Sequence, residues 1–236
     1  MKKFKMNNLC IIPARGGSKR IPKKNIKLFN GQPIISYSIQ EALKTNLFDS
    51  VIVSTDDEET ANIAQSFGAE APFLRSPEAS NDYATTLDVL KEVVSKLKYY
   101  SRAYDNVCCL YPCTPLITAD ILLKSYDKFI AEDMDTLLTT QEYRHPIQRA
   151  LALKDGGIID FVNKAHISTR TQDLETFYHD AGQFYFHKSS LILNQQSIYD
   201  GKTGHYLLPI SRAQDIDNED DWTLAELKFR IKNKTC

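Results

Sequence analysis

Leu9-Cys10-Ile11-Ile12-Pro13-Ala14-Arg15-Gly16-Gly17-Ser18-Lys19-Arg20-Ile21-Pro22-Lys23-Lys24-Asn25 is the stretch on which the fold turns. Its first four residues form an unbroken apolar run, the pattern of a strand covered on both faces. Behind that run come two glycines, a serine, two prolines and five basic residues. Glycine lets a backbone approach a ligand closely, and successive amide N–H groups in such a loop converge on phosphate oxygens. Arg15 and Lys24 are placed to neutralise a triphosphate and the charge that develops as pyrophosphate leaves. The spacing fits neither the Walker A pattern nor the Rossmann GxGxxG fingerprint. On this stretch alone, a solvated basic turn between a strand and a helix stays open as the alternative.

Working outward, strand and helix signals alternate, which predicts an α/β fold with a mainly parallel sheet. Pro33 is suited to open a helix, whose stripe runs through Ile34, Ile35, Tyr37, Ser38, Ile39, Ala42 and Leu43 with one small polar member. Ser50–Thr55 reads as a β-branched strand and Asp57–Phe67 as a helix stopped at Gly68. Val107–Tyr111 is a further buried strand ending in the turn-rich Pro112–Pro115, followed by a helix over Ala119–Ala131 and a strand over Thr136–Thr140. Gln141–Asp180 lacks helical periodicity and is too long to be a plain loop in a compact domain. It reads as a small excursion with strands of its own. Gly182–His187 resumes the core, where at least one face of the Phe184, Tyr185, Phe186 alternation is plain core. Asn218–Lys232 closes the chain as a helix with acids first and bases last, in keeping with the helix dipole.

The 236 residues, 42 % hydrophobic and 25 % charged, suit a single domain spanning residues 1–236. A formal net charge of −1 gives no global basic field for a nucleic-acid partner. Five cysteines, with Cys10, Cys108 and Cys109 in apolar settings, form no disulfide framework and imply buried thiols in a reducing compartment. Zinc at Cys108, Cys109 and Cys113 lacks a second pair at finger spacing. The first apolar run is too short for a signal peptide and no stretch reaches membrane-spanning length. A cytoplasmic protein with no membrane partner is expected.

The loop resembles the signature of the cytidylyltransferases that activate nonulosonic acids, relatives of the CMP-sialic acid synthetases, which typically read IPARGGSKG-IP-KN; here Arg20 replaces the last glycine of that run. The resemblance continues through VIVSTDDEETANIAQSFGAEAPFLRSPEAS and AQDIDNEDDW, and so spans nearly the whole chain. It implies a Rossmann-like fold of the nucleotide-diphospho-sugar transferase type, with Arg15 and Lys24 as catalytic groups. It also implies CTP contacts from Pro13, Ala14, Arg15, Gly16, Gly17, Ser18, Lys24, Asn25, Arg75 and Thr86. Asp215 and Asp217 flank one residue, which places both carboxylates on one side of an extended segment, an oxygen donor set suited to Mg²⁺. The resemblance assigns both to the metal, while Glu219, Asp220 and Asp221 serve the helix start. A homodimer is implied as well, with the 141–180 excursion reaching the partner's site.

Three departures fall where that family meets its sugar. Tyr111 stands in place of a glutamine, Gln148 and Arg149 follow His145-Pro146 where a lysine is usual, and Ala181 replaces an asparagine. Losing an asparagine removes hydrogen-bonding groups and shifts specificity. These variants resemble the pseudaminic acid branch of the family. Tyr111, Gln148, Arg149, Arg170, His179, Ala181 and Gln183 are therefore the sugar-side candidates, with Arg149 and Arg170 suited to a bidentate grip on a carboxylate. Structural ion pairs would use the same arginines. The expected reaction joins CMP from CTP to a nonulosonic acid, with an N-acylneuraminate or legionaminate enzyme, another sugar nucleotidyltransferase or a non-catalytic nucleotide-binding protein as alternatives.

Overall fold

The computed structural model describes residues 6–194 and 197–234; most of the basic opening, residues 1–5, lies outside them. β1 (Asn8–Pro13) leads into the basic loop, a small hairpin β2–β3 (Leu28–Phe29, Gln32–Pro33) and helix α1 (Ile34–Lys44). β4 (Ser50–Ser54), α2 (Glu58–Ser66), a single turn α3 (Pro77–Ser80) and the long α4 (Thr86–Tyr99) follow. β5 (Asn106–Leu110), α5 (Ala119–Ala131) and β6 (Thr136–Glu142) complete that run. The excursion carries the hairpin β7–β8 (Leu151–Leu153, Ile159–Phe161) and short 3₁₀ turns. β9 (Tyr178–Lys188), α6 (Ser189–Ile192), β10 (Thr203–Leu207) and α7 (Glu219–Lys234) finish the chain.

Six strands form one sheet in the order β10-β6-β9-β5-β1-β4. β1 is parallel to β4 and β5, β10 is parallel to β6, and β9 runs antiparallel between β5 and β6. The chain moves from β1 to β4 on one side and returns to β5 on the other. The carboxyl end of β1 therefore sits at a switch point of strand order, where open α/β sheets leave a crevice. Leu9, Cys10, Ile11 and Ile12 are all fully buried, Cys10 and Ile12 in the cluster on one face of the sheet and Leu9 and Ile11 in that on the other. β9 behaves alike: Phe184 and Phe186 pack on the first face and Tyr185 on the second, so both faces of that alternation are core.

Helix starts are set by side-chain caps. Asp57 accepts from Thr60 N at 2.9 Å, Thr118 caps α5, and Thr85 with Asp88 forms a reciprocal capping box at α4. Ser38, the polar member of the α1 stripe, is 1 % exposed. Its hydroxyl meets Tyr111 O, Pro112 O and Thr114 Oγ1 at 2.9 to 3.2 Å, and so fixes the turn after β5. Cys10, Cys108 and Cys109 are buried thiols, and burial raises the pKa of both Cys108 and Cys109. No helix among the described residues is long and apolar enough to cross a membrane.

His187 lies fully buried on β9, with Nδ1 3.1 Å from Thr136 Oγ1 and Nε2 without a partner. Burial pushes its pKa down from 6.5 to about 4. As pH falls from 6.5 towards 4 the unfolded chain takes up a proton that the fold refuses. Stability should therefore fall across that window by on the order of 3 kcal/mol from this group. Urea melts between pH 8 and 4 should show His187→Gln losing less stability on acidification than the wild type.

Candidate active site

Pro13 ends β1, and Ala14 is held to the neighbouring strand by its N–H on Ser54 O at 2.9 Å. The chain then leaves the sheet. At Gly16 a Cβ would stand 2.8 Å from Asp57 Cβ, and Gly16 N donates to Asp56 Oδ1 at 2.8 Å. The tight approach to the acidic turn after β4 excludes a side chain here. Asn25 closes the loop: buried, it donates Nδ2 to Arg15 O at 2.9 Å and accepts the Cys113 thiol at 3.4 Å. Burial pushes the Cys113 pKa up to about 12, so the thiol stays protonated as a donor. Ile21 anchors the loop from beneath, fully buried with Phe29, Ile34, Ile216, Trp222 and Ala225.

The acidic segment stands opposite. Ile216 is buried in that same cluster, while Asp215 and Asp217 on either side of it line a cavity of about 690 Å³. Desolvation, with the charge of Asp217 beside it, raises the Asp215 pKa. Arg20 Nη2 pairs with Asp217 Oδ1 at 2.7 Å, and Lys24 lies 4.0 Å from the same oxygen while donating to Ile216 O. Asp221 Oδ2 accepts from Asp217 N and Asn218 N at 3.0 and 3.1 Å, so the first acids of α7 hold this segment through its backbone. No cluster of three or more His, Cys, Asp or Glu able to hold a metal occurs among the described residues. Two neighbouring carboxylates on a cavity wall do suit Mg²⁺, which keeps waters and shares its shell with substrate phosphates.

The large cavity gathers Pro13, Arg15, Ser18, Lys24 and Asn25 from the expected nucleotide set, with Tyr111 and Gln183 from the sugar set. An adjoining cavity of about 250 Å³ shares Pro13, Arg15 and Tyr111 with it and adds Arg75 and Thr86. Arg75 is 7 % exposed. Its Nε donates to Ser54 Oγ at 3.1 Å and its Nη2 to Ser54 O, and burial lowers its pKa. A buried guanidinium at a cavity wall is a strong anion partner because little water screens it. Thr86 Oγ1 lies 2.7 Å from the Tyr111 hydroxyl, joining the two cavities.

Other candidates lie apart. Ala14 is fully buried and faces away from the cavity, and Gly16 and Gly17 flank its lining without entering it. Ala181 is core. His179 rests its ring 5.0 Å from Tyr143, with Nδ1 2.8 Å from Asp180 O. Gln148 donates to Glu175 O, Arg149 is exposed, and Arg170 pairs with Asp173 at 3.0 Å, all in the excursion and outside this cavity. Groups not among the sequence candidates also line the site: Lys19, Arg20, Asp180 and Tyr185 in the large cavity and Asp82 in the adjoining one. Asp82 pairs with Arg15 and Lys19 at 3.0 and 2.6 Å. Lys19 and Arg20 were legible as members of the basic run; Asp82 had no pattern to mark it.

Residues 9–217 match the model of the cytidylyltransferase family, and the chain belongs to that family. It is an enzyme of the nucleotidyltransferase class. A pseudaminic acid cytidylyltransferase of Campylobacter jejuni subsp. jejuni serotype O:2 is 42 % identical over 231 residues, covering 98 % of this chain and all of the relative. A CMP-N,N'-diacetyllegionaminic acid synthase of the same strain is 30 % identical over 227 residues, 95 % of this chain and 96 % of the relative. Among solved structures, a CMP:2-keto-3-deoxy-manno-octonic acid synthetase complexed with CTP superposes with a TM-score of 0.68 at 17 % identity, covering 97 % of this chain and 99 % of the other, a likeness of fold.

Lys24, like Arg20, bridges the loop and the acidic wall, and it is the less exposed of the two. Lys24→Met should lower nucleotidyl transfer by about 100-fold or more while the unfolding midpoint stays within a few degrees of wild type. Unchanged turnover would remove Lys24 from the chemistry.

Proposed function

We propose that this enzyme transfers CMP from CTP to the anomeric hydroxyl of a nonulosonic acid of the pseudaminic type, releasing pyrophosphate. The observation that carries the reading is the cavity itself, with the Arg15–Asn25 loop on one wall and the Asp215–Asp217 pair on the other. The full-length match to a pseudaminic acid cytidylyltransferase supports the choice of sugar.

In this reading the sugar hydroxyl oxygen forms a bond to the α-phosphorus and gives up its proton to solvent as the bond to the bridging oxygen breaks, and pyrophosphate leaves with those electrons. Arg15 and Lys24 bind the triphosphate oxygens and take up the charge that builds on the leaving group. Arg15 must first exchange its ion pair with Asp82 for one with phosphate. Asp215 and Asp217 would hold Mg²⁺, which when bound supplies further neutralisation of the phosphates. Arg75 joins Arg15 at the triphosphate and Thr86 lies near the nucleotide in the adjoining cavity, while Tyr111 and Gln183 line the sugar side. The protein positions and neutralises; no covalent nucleophile is needed.

A homodimer belongs to the same proposal. Leu151, Leu153, Ile158, Ile159 and Val162 on the excursion are each more than half exposed, an apolar surface of the kind that marks an interface. Gln148, Arg149 and Arg170 lie on the same excursion, away from their own chain's cavity, and would approach the partner's sugar site. Light scattering at working concentration should give twice the 26.9 kDa chain mass; a monomeric mass overturns this arrangement.

The catalytic test is pyrophosphate release with Mg²⁺ and CTP, offering pseudaminic, legionaminic and N-acetylneuraminic acids side by side, with ATP, GTP and UTP as controls. Turnover with CTP and pseudaminic acid is the expected outcome. Preference for another of the three sugars keeps the reaction and overturns the assigned specificity. Tight CTP binding with no turnover on any sugar would favour a nucleotide-binding role.

A further inference from the structure

The β9 wall of the large cavity carries hydrogen-bonding capacity that the fold leaves unspent. Gln183 is 1 % exposed and lines the cavity. Its Nε2 donates to Ala181 O at 2.8 Å, which settles the amide's orientation, because a carbonyl accepts only from the NH₂ end. The other end, Oε1, is buried and has no partner. An orphaned buried acceptor is destabilising, and a ligand donor would relieve that cost. Beside it stands the Asp180 carboxylate, also on the cavity wall. Oδ1 accepts Gly182 N at 2.8 Å, and Oδ2 accepts the phenols of Tyr185 and Tyr199 at 2.7 and 3.0 Å. Two donors on one oxygen hold the carboxylate in place, and an ionised carboxylate has acceptor sites beyond these three.

The cavity is thus polarised. Its loop side carries cations, Arg15, Arg20 and Lys24 among them, while the β9 side is lined by the Asp180 carboxylate and by Gln183, whose buried Oε1 has no partner. An acidic sugar is best accommodated there with its carboxylate and the neighbouring anomeric hydroxyl towards the loop cations and its N–H-bearing substituents towards β9.

Building on the proposed transfer of CMP to a nonulosonic acid, we propose that Gln183 is the specificity-determining residue of this enzyme: its free Oε1, beside the Asp180 carboxylate, takes the N–H of a sugar acylamino group. Tyr199 is then a positioning residue, acting through Asp180. The sugar class that follows is an acylamino nonulosonic acid rather than one bearing hydroxyls in those places.

The experiment compares kcat/KM for a diacylamino nonulosonic acid with that for a matched nonulosonic acid carrying hydroxyls instead, in wild type and Gln183→Met, with KM for CTP measured alongside. Methionine keeps the length and removes both polar ends; Gln183→Leu is the second variant should the first fail to fold. The wild type should favour the acylamino sugar, and the variant should shrink that preference at least tenfold, with KM for CTP within twofold of wild type. A preference that survives the substitution, or a CTP KM that moves in step with the sugar, overturns the assignment of Gln183 and leaves the transfer reaction standing. A wild type that turns over neither sugar overturns the proposed function, and this inference with it.

Discussion

Two isoleucines sunk into one aromatic cluster hold the site together. Ile21, from the basic loop, and Ile216, from the acidic segment, are both buried against Phe29 and Trp222. Phe29 meets Tyr37, Trp222 and Phe229 edge to face with centroids 5.5 to 5.6 Å apart. Like charges crowd each wall and would tend to splay the chain. Burying an isoleucine side chain contributes about 1.5–3 kcal/mol, and each peg spends that energy beneath the most highly charged stretch of its segment. Apolar packing thereby fixes the distance between Lys24 and Asp217 more firmly than their own 4.0 Å attraction does, because exposed ion pairs are weak.

Above those pegs the cations are balanced within the chain itself. Asp82 takes Arg15 and Lys19, Asp217 takes Arg20, Glu59 takes Lys23, and Glu219 takes Lys27. The loop is therefore ordered before any phosphate arrives. Most of these pairs are well exposed, so exchanging a carboxylate for a phosphate costs little, and a polyanion with several oxygens replaces single-point contacts with a shared set.

Much of this was legible in the residues. The unbroken run Leu9–Ile12 predicted a doubly covered strand, and the helices expected to open at Pro33, Asp57 and Ala119 begin at Ile34, Glu58 and Ala119. Among the elements that went unread, α4 and β10 are the most substantial. α4 carries a plain apolar stripe, Leu87, Leu90, Val93, Val94 and Leu97, but it follows the 71–86 stretch whose motif drew the eye to Arg75 and Thr86. β10 is a half-exposed strand of mixed residues with little pattern to find. Ser38, the one small polar member of the α1 stripe, is the peg for the turn carrying Tyr111. At the site, Arg15, Lys24, Asp215 and Asp217 from the motifs line the cavity, while Asp82 and Asp180 carried no pattern to mark them. Asp180 lay one position from a named residue, but only the fold brings the Tyr199 phenol, nineteen residues on, to its oxygen.

The aromatic cluster also dictates when the enzyme comes into being. Ile21 and Phe29 leave the ribosome early, whereas Ile216, Trp222 and Phe229 follow some two hundred residues later. Contacts so distant in the chain are slow to form and costly in loop entropy. Strands β1, β4 and β5 can pair while translation continues, but the loop beside them has no floor until the last helix docks. The nascent chain is thus a sheet whose basic loop lacks its apolar floor until the last helix has emerged and docked.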